Sequence, residues 1–118
     1  MTNEECLNAV KYIENEYNRK KDELNAEYKK KTQSVLNQWA RNNARFGIGD
    51  IIKSNDIIIV VEKIMGVHDF YYSSNNNLCV VYWGSVLTKK LEKRKDEFKS
   101  TIYDEESREI KLVKKAEV

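Results

Sequence analysis

Apolar residues recur at helical spacing through the first part of the chain. They follow one another at steps of three, four or sums of these, at Cys6, Val10, Ile13, Tyr17, Leu24, Tyr28, Val35, Trp39 and Phe46. Such a stripe is typical of an amphipathic helix, and no glycine or proline interrupts the first 46 residues. Thr2 and Glu5 have the spacing of a capping box, in which a threonine hydroxyl accepts a bond from the amide three residues on. The pattern predicts a helix from Thr2 to Asn42, roughly 60 Å long at ~1.5 Å per residue.

The stripe divides into two apolar blocks, 6–17 and 35–46, separated by the polar stretch 18–33. Its mean step is close to the ~3.6 residues of a straight helix, which disfavours a long heptad zipper with its period of ~3.5. A helix gains most of its stability from packing an apolar face. The first block therefore predicts self-association, as a homodimer, through Cys6, Val10, Ile13 and Tyr17. Two alternatives remain open: a break near Asn18 that folds the helix back, and a solvated mobile rod.

The second apolar block predicts a contact inside the chain. Val35, Trp39 and Phe46 lie next to the change of pattern after Ala44. We expect these three side chains to dock on the domain that follows, with Trp39 largely buried.

Beyond Ala44 the period becomes that of β-strands. Five consecutive β-branched residues, 57–61, predict a strand covered on both faces, which Gly66 would end. Further strands are predicted over 46–52, 70–72 and 78–83, and the segments 101–103 and 109–113 supply one or two last strands. A hairpin turn is predicted at 73–77 and a bulge or close backbone approach at Gly84. The fold class is therefore α+β: a long N-terminal helix (1–45), which mediates oligomerisation and docking, followed by a small five-stranded antiparallel β-barrel (46–118), which binds a partner.

A charged segment, 88–99, interrupts the strands. A helix and a long loop both fit its pattern, and the loop is slightly favoured. It holds six basic and three acidic residues over 88–99. Aromatic side chains near basic ones are favoured at protein interfaces, so the sequence predicts a partner-binding face formed by Tyr71, Tyr72, Trp83, Lys89, Lys90, Lys93 and Arg94.

Composition narrows the range of functions. The 118 residues carry a formal net charge of only +2. A charge this small does not indicate the strongly positive field of a dedicated nucleic-acid binder. His68 is the only histidine, so a two-histidine metal site is excluded, and a solvated or turn-stabilising role is expected for it. Asp104, Glu105 and Glu106 could in principle hold a hard cation. Adjacent acids in a strand or turn point in different directions, however, so a metal site is not expected there. We expect no catalytic residue, no metal and no cofactor.

Two cysteines and the absence of a leader or apolar span indicate the compartment. Both thiols are expected to be reduced, with Cys79 in the core, and the protein is expected to be cytoplasmic with no membrane contact.

Three segments carry a family resemblance: Phe46-Gly47-Ile48-Gly49-Asp50-Ile51-Ile52, Val61-Glu62-Lys63-Ile64 and Tyr82-Trp83-Gly84-Ser85-Val86-Leu87-Thr88-Lys89-Lys90. Together, over about residues 46–113, they resemble short uncharacterised proteins of bacteriophages and bacterial mobile elements with Src-homology-3-like barrels. The resemblance implies a phage or bacterial origin and an accessory role, and it transfers no site residue. It does not include the long helix.

These observations favour a non-enzymatic protein-binding module, oligomerised by its helix. With a phage origin, inhibition or modulation of a host protein, including a defence protein, is the natural role. The alternative is a nucleic-acid-binding or transcription-associated barrel that uses the basic loop. An enzyme ranks third.

Overall fold

The computed structural model describes residues 1–69, 77–105 and 108–116. One helix is followed by five strands: α1 (Asn3–Asn43), β1 (Ile51–Ser54), β2 (Ile57–Val67), β3 (Cys79–Val86), β4 (Lys99–Tyr103) and β5 (Lys111–Lys114). The predicted α+β class, with a long N-terminal helix and five antiparallel strands, is confirmed. The predicted strand at 70–72, and with it Tyr71 and Tyr72, lies outside the described residues.

The long helix begins where the sequence predicts. The Glu5 amide donates to Thr2 Oγ1 at 3.1 Å, which satisfies one of the amides that a helix start leaves unpaired. The Glu27 carboxylate and the Lys31 ammonium form an ion pair at 2.7 Å one turn apart. Because α1 is continuous from Asn3 to Asn43, the alternative with a break near Asn18 is wrong.

The sheet is open. Its strand order is β4-β3-β2-β1-β5, and each neighbouring pair is antiparallel. The short strands β4 and β5 form the two edges, and no pairing joins them within the described parts of the chain. The prediction of a closed barrel is therefore wrong. An open sheet buries its apolar face under another element, and here the last turns of α1 supply that cover.

The chain forms two compact units, Met1–Thr32 and Gln33–Val118. The first contains only helix, and the second contains the end of α1 and the whole sheet. The division predicted from the sequence assigns oligomerisation and docking to residues 1–45 and partner binding to residues 46–118. That division of roles stays a prediction.

Within the second unit, α1 packs closely on β2 at Gly66. A Cβ at Gly66 would overlap the backbone carbonyl of Leu36, so only glycine allows this approach. Gln33 Nε2 donates to the Gly66 carbonyl at 3.0 Å, and the Gly66 amide donates to Asn37 Oδ1 at 3.2 Å. The prediction that Gly66 ends the strand is wrong, because the residue lies inside β2.

The docking face of the helix differs from the predicted one. Leu36 and Ala40 are buried, whereas Val35 is 68% exposed, so the prediction for Val35 is wrong. Trp39 and Phe46 do pack against the core, as predicted, but Trp39 is only half-buried.

The core lies between the sheet and this part of α1. Its fully buried side chains alternate along the strands, at Ile52, Ile59, Val61, Tyr82 and Ile102. Cys79 is also buried, as predicted. Ile58 and Val60, which alternate with the buried Ile59 and Val61, are only partly buried, so the prediction that β2 is covered on both faces is wrong.

A buried carboxylate secures the turn between α1 and β1. The amides of Gly47 and Ala116 donate to the two oxygens of Asp50, each at 2.8 Å. These two backbone bonds hold the pKa of the Asp50 carboxyl below its usual value. Asp50 thus ties the end of the chain to the start of the sheet.

Candidate functional site

Trp83 is the one residue of β3 that is not buried. It pairs with Lys63 on β2 and Thr101 on β4. Two ammonium groups lie over its ring, Lys63 Nζ at 5.0 Å and Lys99 Nζ at 5.3 Å from the centroid. A cation at this distance is attracted by the negative face of an indole ring. The side chain is therefore held in place at the surface, although one of its neighbours in β3, Tyr82, points into the core.

A β-bulge opposite Trp83 places a carboxylate beside it. The register between β2 and β3 shifts between Val61 and Lys63, leaving Glu62 as the extra residue. A Cβ at Gly84 would overlap the Val60 carbonyl, so the predicted close backbone approach at Gly84 is confirmed. The sequence signal for the bulge was this glycine.

Glu62 is the centre of a polar cluster on the same face. Lys99 Nζ lies 3.1 and 2.8 Å from its two carboxylate oxygens, and Ser85 Oγ donates to Oε1 at 3.0 Å. The hydrogen bond from Lys99 contributes most to lowering the pKa of Glu62, and the hydrogen bond from Ser85 lowers it further. Sequence analysis missed this cluster, because its members come from three strands.

The cluster contains a serine and a lysine in contact, with Lys99 Nζ 2.7 Å from Ser85 Oγ. Here Glu62 accepts two bonds from the same ammonium. The arrangement is therefore an ion pair that joins β2, β3 and β4, and it lacks the activated nucleophile of a serine–lysine dyad.

The segment 88–98 forms turns and bends, in agreement with the slightly favoured loop. A bridge between Leu87 and Lys93 closes its first turn. Arg94 pairs with Asp96 at 2.8 Å and stacks on Phe98 at 5.5 Å. These contacts link residues within the loop beside the sheet.

The loop and the polar cluster share a small cleft of about 170 Å³. Its lining includes Lys93 and Arg94 from the loop and Ser85 and Lys99 from the strands. Lys93 and Arg94 are two of the predicted partner-binding residues. They line this cleft together with Lys99, whose ammonium lies over the Trp83 ring. Lys89 and Lys90 are exposed in the preceding turn and do not line this cleft. We call Lys63, Trp83, Lys93, Arg94 and Lys99 the Trp83 face.

A second concave feature adjoins the Trp83 face through Lys63. It is a groove of about 450 Å³ between the end of α1 and β2, and it is lined by Asn37, Arg41, Ile48, Lys63, Ile64 and Met65. Ile48 is 58% exposed between two glycines. In the sequence, the only hint of this groove is an isoleucine between two glycines.

Asp104, the first residue after β4, has a structural role. Arg45 donates two bonds to the Asp104 carboxylate, at 3.1 and 2.7 Å, and the Tyr82 hydroxyl donates to it at 3.2 Å. Burial raises the pKa of Tyr82 to about 12. Glu106 lies outside the described residues. Over residues 1–69, 77–105 and 108–116, no group of three metal-ligating side chains could hold an ion.

The residues predicted to mediate oligomerisation are on the surface of the first unit. Cys6 is exposed, and so are Val10, Ile13 and Tyr17, at 44%, 66% and 65%. Leu24 and Tyr28 continue the same stripe at similar exposure.

Comparison with protein families, curated proteins and solved structures finds no match to this chain. The resemblance to phage and mobile-element proteins therefore stays a prediction. No helix in the described part of the chain has the length and apolar character to cross a bilayer.

Proposed function

We propose that this protein is a non-enzymatic binding module whose Trp83 face contacts another protein, with self-association through the N-terminal helix. The observation that carries the proposal is Trp83 itself. A half-buried tryptophan, fixed between Lys63 and Lys99 and bordered by the groove at Ile48, has the features of an interface anchor. Tryptophan and arginine are enriched among the residues that dominate binding energy.

The charge of this surface indicates an acidic partner segment. Four of the five residues of the Trp83 face are basic, and three more basic residues, Lys89, Lys90 and Lys95, lie in the neighbouring loop. These seven stand against four acidic residues, Glu62, Glu92, Asp96 and Glu97. The excess of positive charge favours association with acidic segments. The groove next to Lys63 adds an apolar surface for a side chain of the partner.

The alternative function is nucleic-acid binding, and the exposed lysines of the 88–98 loop support it. Two contacts count against it. Lys63 Nζ and Lys99 Nζ both lie over the Trp83 ring, on the surface that a stacked base needs, whereas a protein side chain can pack against the edge of the ring. Protein binding is therefore the preferred function.

The resemblance over 46–113 extends the proposal to origin and target. It supports a Src-homology-3-like relationship in an open form, and a phage or mobile-element protein that inhibits or modulates a host protein in the cytoplasm.

The test is a comparison of partner capture by matched variants. The wild type and two variants, Trp83→Ala and Lys93→Glu/Arg94→Glu, are used as bait in an extract of the native host. Lys53→Glu/Lys111→Glu is the matched control, because these two exposed residues pair across β1 and β5 at the far edge of the sheet. Affinities are then measured with the purified captured protein, and circular dichroism verifies the fold of each variant.

We expect Trp83→Ala to weaken binding by about thirtyfold or more, as at other anchor residues. The charge reversal should chiefly slow association, and the control should bind as the wild type does. Equal binding by all four proteins would contradict the proposal. Capture that nuclease abolishes, with a steep loss of affinity in salt, would instead establish the nucleic-acid alternative.

A further inference from the structure

The exposed stripe of α1 repeats every 11 residues. One series is Cys6, Tyr17 and Tyr28, and the second is Ile13, Leu24 and Val35; the same interval continues to Trp39 and, beyond the helix, to Phe46, which both pack against the core. The charges near the tyrosines repeat as well, since Glu16 and Glu27 each precede a tyrosine that is followed by basic residues. An 11-residue repeat has about 3.67 residues per turn and is typical of helices that pair with a slight right-handed supercoil.

Nothing in the described chain covers this stripe in the first unit. Ile13, Tyr17, Leu24 and Tyr28 are between 64% and 67% exposed. Because the layers recur at one interval, a second copy of the same helix presents matching side chains at matching heights. The repeat therefore indicates a second copy of this chain as the occupant, and charge decides its direction.

Charge is distributed unevenly along the first unit. Residues 4–16 contain four acidic residues and one basic, a net charge of −3, whereas 19–31 contain six basic and three acidic, a net charge of +3. If two copies pair in parallel and in register, side chains on opposite flanks of the stripe meet at the same height. Like charges then face each other: Glu14 and Glu16, Lys20 and Lys21, and Lys29 and Lys31.

An antiparallel arrangement centred on Tyr17 reverses this outcome. In that arrangement side chains on the same flank of the stripe meet, so opposite charges face each other: Glu14 and Lys21, Glu16 and Lys20, and Glu5 and Lys31. Three apolar layers also match, with Tyr17 against itself, Val10 against Leu24 and Cys6 against Tyr28, whereas Ile13 lies level with Lys21. Flanking charges are the features that set partner orientation in paired helices.

We infer that two copies pair antiparallel through residues 6–28, with Tyr17 at the two-fold axis. The inference rests on the self-association proposed above and adds its direction and register. It uses residues of the first unit alone.

Cysteine cross-linking in the full chain tests the register. In the antiparallel dimer the two Cys6 thiols lie roughly 33 Å apart along the axis, at ~1.5 Å per residue over the 22 residues from 6 to 28, so a short bis-maleimide cannot join them. Tyr28→Cys, with Cys6 retained, places two different thiols face to face and should give a cross-linked dimer. Cys79 is 2% exposed and does not compete.

Two controls in a Cys6→Ser background complete the experiment. Tyr17→Cys should cross-link in either direction, and it reports pairing itself. Tyr28→Cys should not cross-link. If wild-type Cys6 cross-links, and Tyr28→Cys in the Cys6→Ser background cross-links as well, the helices are parallel. That result would overturn the inference, while self-association would stand. Cross-linking at residue 17 alone would overturn the register. A monomeric mass in light scattering, with no cross-link at residue 17, would overturn both proposals.

Charge reversal provides an independent arm. Glu14→Lys and Lys21→Glu should each weaken the antiparallel dimer by roughly tenfold, because two attractive pairs become repulsive, and the double variant should restore it. In a parallel dimer each single change would replace repulsion with attraction and tighten the dimer. The sign of the two single effects therefore decides between the directions.

Discussion

Replacing Asp50 with asparagine should destabilise the second unit in a pH-dependent way. Asp50 is 7% exposed, and its two oxygens accept the amides of Gly47 and Ala116 at 2.8 Å. Asparagine keeps one acceptor oxygen but presents an amide group to the other donor. One of the two bonds is then lost, and a backbone amide is left unpaired in a buried place.

The size of the effect follows from these two bonds. A hydrogen bond to a charged group contributes about 1.5–3 kcal/mol net, so the free energy of unfolding should fall by about 2–3 kcal/mol. For a unit of this size each 1 kcal/mol corresponds to about 4–8 °C, which predicts a Tm lower by about 8–24 °C.

The pH dependence has a definite sign. The folded state holds the pKa of Asp50 below its ordinary value of 3.8. Its stabilising contribution is therefore complete above about pH 4 and is lost as the pH falls through the folded pKa. The stability gap between wild type and Asp50→Asn should be largest near neutral pH and should shrink in acid.

The assay is urea unfolding followed by tryptophan fluorescence at neutral pH and at about pH 3. Both tryptophans, Trp39 and Trp83, lie in the second unit, so the signal reports the unit that Asp50 holds together. Asp56→Asn, at an exposed turn position, is the matched control and should change little. A neutral-pH difference below about 0.5 kcal/mol, which is the range of surface substitutions, would refute the role assigned to Asp50. A gap that stays constant into acid would do the same.

Two further predictions each compare a buried residue with an exposed one. Leu36→Ala should lower the free energy of unfolding by about 2–5 kcal/mol, as other large-to-small core changes do, whereas Val35→Ala should change it by no more than about 0.5 kcal/mol; equal effects in urea unfolding would contradict the docking face described here. A maleimide should label Cys6 in the native protein and leave Cys79 unmodified, because burial raises the pKa of Cys79 to about 11; mass spectrometry after brief labelling measures this, and modification of both thiols at equal rates would contradict it.

The elements of the fold followed from local patterns in the sequence. The capping residue Thr2, the absence of breakers and the β-branched run at 57–61 act between near neighbours, and they gave the helix start and β2. Sheet closure was not predictable in the same way. It depends on whether β4 and β5 pair, which is a contact between residues distant in sequence.

The candidate site shows the same division. Trp83 and the basic loop were predicted because aromatic and charged residue types are visible in the sequence. Glu62 and Lys99, which order the face, come from separate strands, and only the bulge brings them together. Whether Tyr71 and Tyr72 belong to the face stays a prediction, since they lie outside the described residues.

The error at Val35 has a physical origin that bears on function. Successive helix residues are turned by about 100°, so the buried Leu36 and the exposed Val35 belong to different faces of α1. The docking face uses Gln33, Asn37 and Ala40, whose small size or amide groups allow contact with the backbone of Gly66. A search for large apolar residues selects the stripe instead of this face. Because docking uses only Trp39 and Phe46 of the stripe, its large side chains from Val10 to Val35 stay exposed and are available to a second molecule, and this is the structural basis for proposing that the helix pairs with its own copy.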